Sequence, residues 1–264
     1  MLSQSSLQDY VDCPRRFFLR HVEELDFPSV ESEPTLDNEI HRRDGQDFHQ
    51  QVERYWLGLP ANPRTGDAGA DRVARWWNSF LKADFGLQAY DKRAEFTLSA
   101  SLGGTRLIAK YDLVASLTGQ RVVIFDWKTY SKLPRADWLL TRLQTTVYRA
   151  LMVVAGASAF GGVSPRPEQV ELVYWFAEYP HDTIRLPYDR DRFVLDWDRL
   201  TRLATELSAA VEFPMTSHLE RCAVCGYRSY CSRGAHAAEA ELDTEPSTIP
   251  EWDTDPDETR LGGP

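Results

Sequence analysis

The stretch Arg121–Tyr130, RVVIFDWKTY, constrains this chain more than any other. Val122 to Phe125 is an unbroken apolar run of β-formers, which predicts a strand covered on both faces and therefore central in a sheet. The run stops at Asp126-Trp127-Lys128. Side chains alternate along a strand, so Asp126 and Lys128 point to one face, and Trp127 joins Val123 and Phe125 on the other. A carboxylate and an ammonium at the end of a buried strand are costly unless each has a partner. Taken alone, a D-x-K marks a strand's exit into solvent. What the rest of the sequence places around it decides whether the pair does chemistry.

Further strands flank it. Arg93–Ala100 and Thr105–Leu117 precede Gln120–Trp127, with Gly103-Gly104 and Thr118-Gly119 at the reversals, which predicts an antiparallel meander. Asp112 falls inside the second strand, in AKYDLVASL, where its apolar neighbours make a carboxylate conspicuous. Asp137 can cap a helix running to about Ala155, on which Gln144 and Tyr148 lie four apart and share a face. The apolar Gln169–Ala177 predicts a strand reached by a crossover, hence parallel to the third, and Thr183–Pro187 adds an edge strand. Before the meander, Ser3 or Ser5 caps a first helix that Cys13-Pro14 interrupts. Glu23–Glu39 is acidic, holds two prolines and predicts a loop. Helices are expected from about Glu39 to Leu57 and over Asp71–Phe85. On the first of these Phe48 and Val52 belong to a packing stripe, while Gly45 and His49 share another face. Arg192–Phe213 predicts a last amphipathic helix.

The net charge of −10 seems to argue against a polyanionic partner, but its distribution matters more than its sum. Residues 237–264 hold nine acids and one arginine, which leaves the remainder near −2. The body can therefore still form a basic groove. The tail, rich in proline and acid, is expected to be disordered or loosely attached, either as a solubilising appendage or as a competitor for that groove. No run of about 18 apolar residues occurs, so no membrane span is expected. The N-terminus lacks a basic stretch followed by an apolar one, so the expected location is the cytoplasm. Of the four cysteines, Cys222, Cys225 and Cys231 form C-x2-C-x5-C and Cys13 lies far upstream. In a leaderless chain of this size a disulfide framework is not expected. Four thiolates gathered at one point suit zinc or an iron–sulfur cluster.

Together these motifs resemble the PD-(D/E)XK nuclease superfamily. Asp112 on the second strand and Asp126-x-Lys128 on the third match its core. Gly45-x-x-x-His49 and Gln144-x-x-x-Tyr148 look like the G-x-x-x-H and Q-x-x-x-Y helices of its RecB-like branch. The opening Ser3-Gln4-Ser5 through Tyr10 to Cys13-Pro14 looks like that branch's N-terminal motif. One early cysteine plus C-x2-C-x5-C resembles the iron–sulfur members, among them the AddB nuclease domain, the CRISPR-associated adaptation nucleases and the exonuclease V group. The sequence departs from them at Ala109-Lys110-Tyr111, where a Gly-basic-hydrophobic run is common, and in carrying Asp126 where many have Glu.

The resemblance implies an α/β fold: a restriction-endonuclease-like core, with a central mixed sheet flanked by helices. An N-terminal helical region and a C-terminal four-cysteine segment would close a nuclease domain over residues 1–236, followed by the tail. Asp112 and Asp126 are hard oxygen ligands suited to Mg²⁺ or Mn²⁺. The resemblance adds the carbonyl of Trp127, and His49 tilts preference toward Mn²⁺. Lys128 would orient or help deprotonate water, and Gln144 and Tyr148 would position the strand or the lysine. Cys13, Cys222, Cys225 and Cys231 would hold a [4Fe-4S] cluster, with Zn²⁺ as the alternative. The implied activity is metal-dependent hydrolysis of DNA, most simply as an exonuclease on single strands, with a helicase or CRISPR-adaptation proteins as partners. The competing expectation is a non-catalytic, nuclease-like DNA-binding or scaffold subunit. A helicase is not expected, because no G-x4-G-K-[ST] loop occurs.

Overall fold

The computed structural model describes residues 1–25, 33–61, 66, 68–223 and 225–233. Five strands form one sheet in the order β1-β2-β3-β4-β5: β1 (Asp91–Leu102), β2 (Thr105–Leu117), β3 (Arg121–Lys128), β4 (Val170–Phe176) and β5 (Ile184–Pro187). All neighbours are antiparallel except β3 and β4, which run parallel from Val122↔Val170 to Lys128↔Phe176. The meander, the crossover and the edge strand expected from the sequence are therefore all present, in a mixed sheet with β3 at its centre.

Alternation along β3 and β4 divides the core into two layers. Val122 and Ile124, with Leu172, Tyr174 and Phe176, pack under α1 (Gln4–Asp12), α6 (Leu143–Ala155) and α7 (Arg190–Ala209). Val123, Phe125 and Trp127, with Val173 and Trp175, pack under α3 (Glu33–Trp56) and α4 (Ala68–Lys82), where Phe48, Trp76 and Phe80 supply an aromatic cluster. Removing a buried aromatic such as Trp127, 1% exposed, would cost about 3–5 kcal/mol.

β1 and β2 behave differently. Leu107, Ala109 and Tyr111 of β2 belong to the first layer, yet Leu113 and Ala115, of the same parity, belong to the second. On β1, Ala94 packs in the second layer and Phe96 and Leu98 in the first. Both strands exchange faces where Glu95 stands opposite Asp112, the one position their ladder skips. Glu95 has φ of 52°, a left-handed conformation costing a non-glycine residue about 1–2 kcal/mol. At the same level the β2–β3 ladder ends, at Leu113↔Phe125, while β3 continues three residues further beside β4. The sheet is split open there.

Several boundaries differ from the sequence-based expectation. The helix expected from Glu39 begins at Glu33, so the second half of the predicted acidic loop is helical. Pro34 falls in its first turn, where a missing N–H leaves no helical bond unmade. Helix α4 lies three residues upstream of the expected span. The helix expected from Asp137 to Ala155 is two: α5 (Ala136–Thr141) and α6, broken at Arg142, whose backbone is extended. Asp137 lies in the first turn of α5, not at its cap, which is Arg135. The break is stabilised from outside, where Leu143 N–H donates to Gln8 Oε1 (3.2 Å), and locally, where the Thr145 hydroxyl donates to the Leu139 carbonyl (2.6 Å). Gln8 lies on α1, which Ser3 and Ser6 close with a reciprocal capping box. Helix α7 ends at Ala209, short of Phe213, and is capped by Asp189. The acidic tail lies outside the described residues.

Candidate active site

The splayed end of β2 and β3 gathers the sequence-predicted acids. Asp126 and Lys128 project from one face of β3, as alternation requires, and both are almost wholly buried. Lys128 Nζ stands 3.0 Å from Asp126 Oδ2. Gln144, from the first turn of α6, bridges the two: its Oε1 accepts from Lys128 Nζ (2.9 Å) and its Nε2 donates to Asp126 Oδ1 (3.0 Å). Tyr148, one turn on, lies 3.3 Å from the same Nε2 and donates its hydroxyl hydrogen to the Lys110 carbonyl (2.8 Å). Tyr111 OH donates back to the Tyr148 carbonyl (3.1 Å). Tyr148 is fully buried, and its hydroxyl links Gln144 to the backbone of β2.

Asp112 fills the gap left by the broken ladder. Its Oδ2 accepts the Trp127 N–H at 2.7 Å, in place of a backbone carbonyl. His49, from α3 on the other side of the sheet, brings Nδ1 to 3.5 Å from Asp112 Oδ1. Helix α3 lies close because position 45 is glycine: a Cβ there would stand 3.0 Å from Thr129 Oγ1. His41, one turn before Gly45, meets the Thr129 carbonyl through Nε2 at 2.7 Å. The backbone around Lys128 is thus held from two sides, as Ala177 N–H also donates to the Lys128 carbonyl (2.7 Å).

Electrostatics separate the two aspartates. Burial pushes Asp126 up to about 7, and the charge of Asp112 adds to this, although Lys128 opposes it. Burial pushes Asp112 up as well, but the His49 imidazole, the Trp127 N–H and the Lys128 ammonium outweigh it and hold the carboxyl below its ordinary range. The two carboxyls therefore hold their protons with different strength although they share one environment.

Sequence reasoning missed Glu95. It faces Asp112 across β1 and β2, forms an ion pair with Lys110, and is pushed up to about 8 by burial and by the charge of Asp112. It also missed His41. Neither has a pattern signal: Glu95 sits in an ordinary-looking DKRAEFTL strand, and only its left-handed φ marks it.

Asp112 and Asp126 present carboxylate oxygens and His49 an imidazole nitrogen, donor types that divalent cations take. Asp126 Oδ2 is buried and faces only the Lys128 ammonium at 3.0 Å, so a cation bound there would share this oxygen with the lysine. Trp127 shows its N–H at the site, and its side chain is buried in the opposite layer. The four cysteines also converge. Cys13 sits at the extended break between α1 and α2 (Pro14–Phe17), and it lines one pocket with Cys222, Cys225 and Cys231. Thr216 N–H points at Cys13 Sγ (3.4 Å) and Arg233 Nη1 at Cys222 Sγ (3.3 Å). Burial raises the Cys231 thiol, and the neighbouring Cys13 and Cys222 raise it further. Among the described residues, no group of three or more histidine, cysteine or carboxylate side chains is arranged, as it stands, to hold a metal ion.

A five-stranded mixed sheet with paired acids and a lysine at a splayed strand end defines a class, and the sequence agrees: the chain belongs to the PD-(D/E)XK nuclease superfamily, which it matches over residues 1–232. Among solved structures it is similar to one from Eubacterium rectale described as a "putative exonuclease". Identity to that protein is 9%, with 82% of this chain and 84% of that one covered and a TM-score of 0.54. A second structure, SSO0001, is 16% identical over 87% of this chain and 84% of that one, with a TM-score of 0.42. Among curated proteins, none matches the sequence. Among the described residues, no helix is long and apolar enough to cross a membrane.

Proposed function

We propose that this chain is a divalent-metal-dependent deoxyribonuclease of the RecB-like, iron–sulfur branch, acting on single-stranded DNA as an exonuclease. The observation that carries the reading is the meeting of Asp112, Asp126 and Lys128 at the opened end of β2 and β3, where Gln144 bridges Asp126 and Lys128 and the Trp127 N–H holds Asp112. Asp112, Asp126, His49 and the Trp127 carbonyl would hold Mg²⁺ or Mn²⁺. Bound there, the ion supplies neutralisation of phosphoryl charge and acidification of a water. Lys128 adds a fixed ammonium beside the phosphate, and Gln144 keeps it from collapsing onto Asp126 alone. Tyr148 and His41 hold the backbone of β2 and of the β3 exit, so the acids need not reorganise when substrate arrives. The four cysteines would carry a [4Fe-4S] cluster, or zinc, in a structural role, since hydrolysis needs no electron transfer. A DNA-repair or CRISPR-adaptation assembly, with a helicase partner, is the setting that the branch implies.

The test is degradation of end-labelled single-stranded DNA, duplex DNA and RNA by purified protein, with Mn²⁺, Mg²⁺ or EDTA. Metal-dependent loss of the single strand from one end is expected, and none from Asp126→Ala. Binding of DNA without cleavage under any metal would make the chain the non-catalytic subunit instead.

A further inference from the structure

The segment joining Lys128 to Gln144 has no part in the chemistry above, although both its ends lie in the acid cluster. Residues 129–143 carry Lys132, Arg135 and Arg142 against a single acid, Asp137, in a chain of net charge −10. The start of the segment is pinned where Tyr179 OH donates to the Ser131 carbonyl at 2.7 Å. Beyond it, α5 presents Trp138, half-buried, with its inner side against the core. The Arg142 guanidinium lies over this ring, 4.9 Å from its centre. Arg142 is the extended residue between α5 and α6, and Gln144, two residues on, reaches Asp126. The break that displays Arg142 is built: Gln8 caps Leu143 and Thr145 takes the Leu139 carbonyl, so one continuous helix does not form. Arg135 is exposed and shares its charge with exposed Asp137, a rim pair of little strength.

An arginine held over an indole keeps its donors and its outer face for a ligand. The donors fit a phosphate bidentately, and the outer face fits an unpaired base. We infer that Trp138 and Arg142, with Lys132 and Arg135, form the contact for the single-stranded nucleic acid flanking the scissile phosphate. This rests on the nuclease reading above and adds the strand-binding residues and the preference for unpaired bases. A duplex offers phosphates but no free base face, so the stack would serve it poorly.

The experiment uses full-length protein in EDTA and a fluorescently labelled oligothymidylate, read by anisotropy against salt. Arg142→Ala should weaken binding about tenfold and reduce the slope of log Kd against log salt by about 0.7, the single-strand value for one lost phosphate contact. Trp138→Ala should weaken binding about tenfold and Trp138→Phe by much less, since a phenyl ring still supports the guanidinium. Mn²⁺-dependent hydrolysis of bis(p-nitrophenyl) phosphate, which has no flanking nucleotide, should be unchanged in all three. Unchanged affinity in Arg142→Ala overturns the inference. So does an equal loss for duplex of the same length, or a loss of affinity accompanied by a fallen Tm and lost ester hydrolysis. Should the wild type hydrolyse neither ester nor DNA, the nuclease reading falls, while the binding comparison still decides the platform.

Discussion

Asp126, 2% exposed, is buried more deeply than Asp112, and that burial makes two predictions. If it is a ligand of the catalytic ion, Asp126→Ala should lower DNA cleavage by at least about a thousandfold, or about 4 kcal/mol of barrier, in a single-turnover assay. The second concerns pH in the metal-free protein. The folded state holds a proton on Asp126 up to about pH 7, whereas the unfolded chain releases it near the ordinary 3.8. Stability from this group is therefore full below 3.8 and is lost as pH rises through 7. Asp126→Asn, which cannot ionise, should be more stable than wild type in EDTA, by a Tm difference that is small at pH 5 and grows to pH 8. A difference that stays constant across that range, read by scanning calorimetry, would mean that Asp126 is ionised in the fold at all these pH values. Asp126, Lys128 and Asp112 were legible because alternation along an apolar strand leaves charges nowhere neutral to go. Glu95 was not, because Ala94 and Phe96 have the same parity and look like one face; only a left-handed φ between them sends them to opposite layers.

The elements show how far a spacing rule reaches. Gly45 and His49 share a face of α3, as four-residue spacing requires, but the sequence did not say what that face meets. It meets the exit of β3, and the fit is close. Gly45→Ala would set a Cβ 3.0 Å from Thr129 Oγ1, so either the threonine rotates or α3 withdraws and takes His49 from Asp112. The expected result is a fall in kcat of about tenfold or more with a Tm change of only a few degrees, checked by steady-state kinetics beside thermal melts. His41→Ala should act through the same segment by freeing the Thr129 carbonyl, lowering kcat with little effect on KM, and His41→Gln should restore part of it by supplying a donor. A purely structural histidine would instead lower Tm and leave kcat intact. The break between α5 and α6 was illegible for a related reason. Asp137 to Ala155 has an unbroken apolar stripe, and what interrupts it is a glutamine more than a hundred residues upstream. Periodicity reports the face an element buries, and a cap supplied by a distant side chain has no period.

At the scale of the whole molecule, the two ends of the described chain are tied together. Leu2 exchanges backbone hydrogen bonds with β2, through Arg106 and Ile108, on the edge that β3 leaves free. Arg15 N–H donates to the Pro214 carbonyl (3.1 Å), Arg221 reaches the carbonyls of Val11 and Asp12, and Tyr227 OH donates to the Leu25 carbonyl (2.7 Å). The four cysteines lie inside this closure, in one pocket. The sequence implied as much, since three close cysteines and a distant fourth have a common use only if the fold brings them together. It did not choose the metal, because thiolates at these spacings suit zinc and iron–sulfur alike. If the pocket holds a cluster, part of the folding free energy of the closure is metal-binding free energy. Cys13→Ala should then lose metal and closure together: protein purified without oxygen should change from brown to colourless, and limited proteolysis should cut near both ends while the sheet survives. The active-site helix α6 gives this loss a second readout. Gln8 of α1, five residues before Cys13, caps Leu143, so loosening α1 removes a cap from the helix that carries Gln144. Cleavage by Cys13→Ala should fall through kcat although no residue of the acid site has changed. Wild-type protein that is colourless and carries stoichiometric zinc would replace iron–sulfur with zinc and leave the closure argument standing. A Cys13→Ala protein with unchanged metal content, proteolysis pattern and kcat would remove the closure itself.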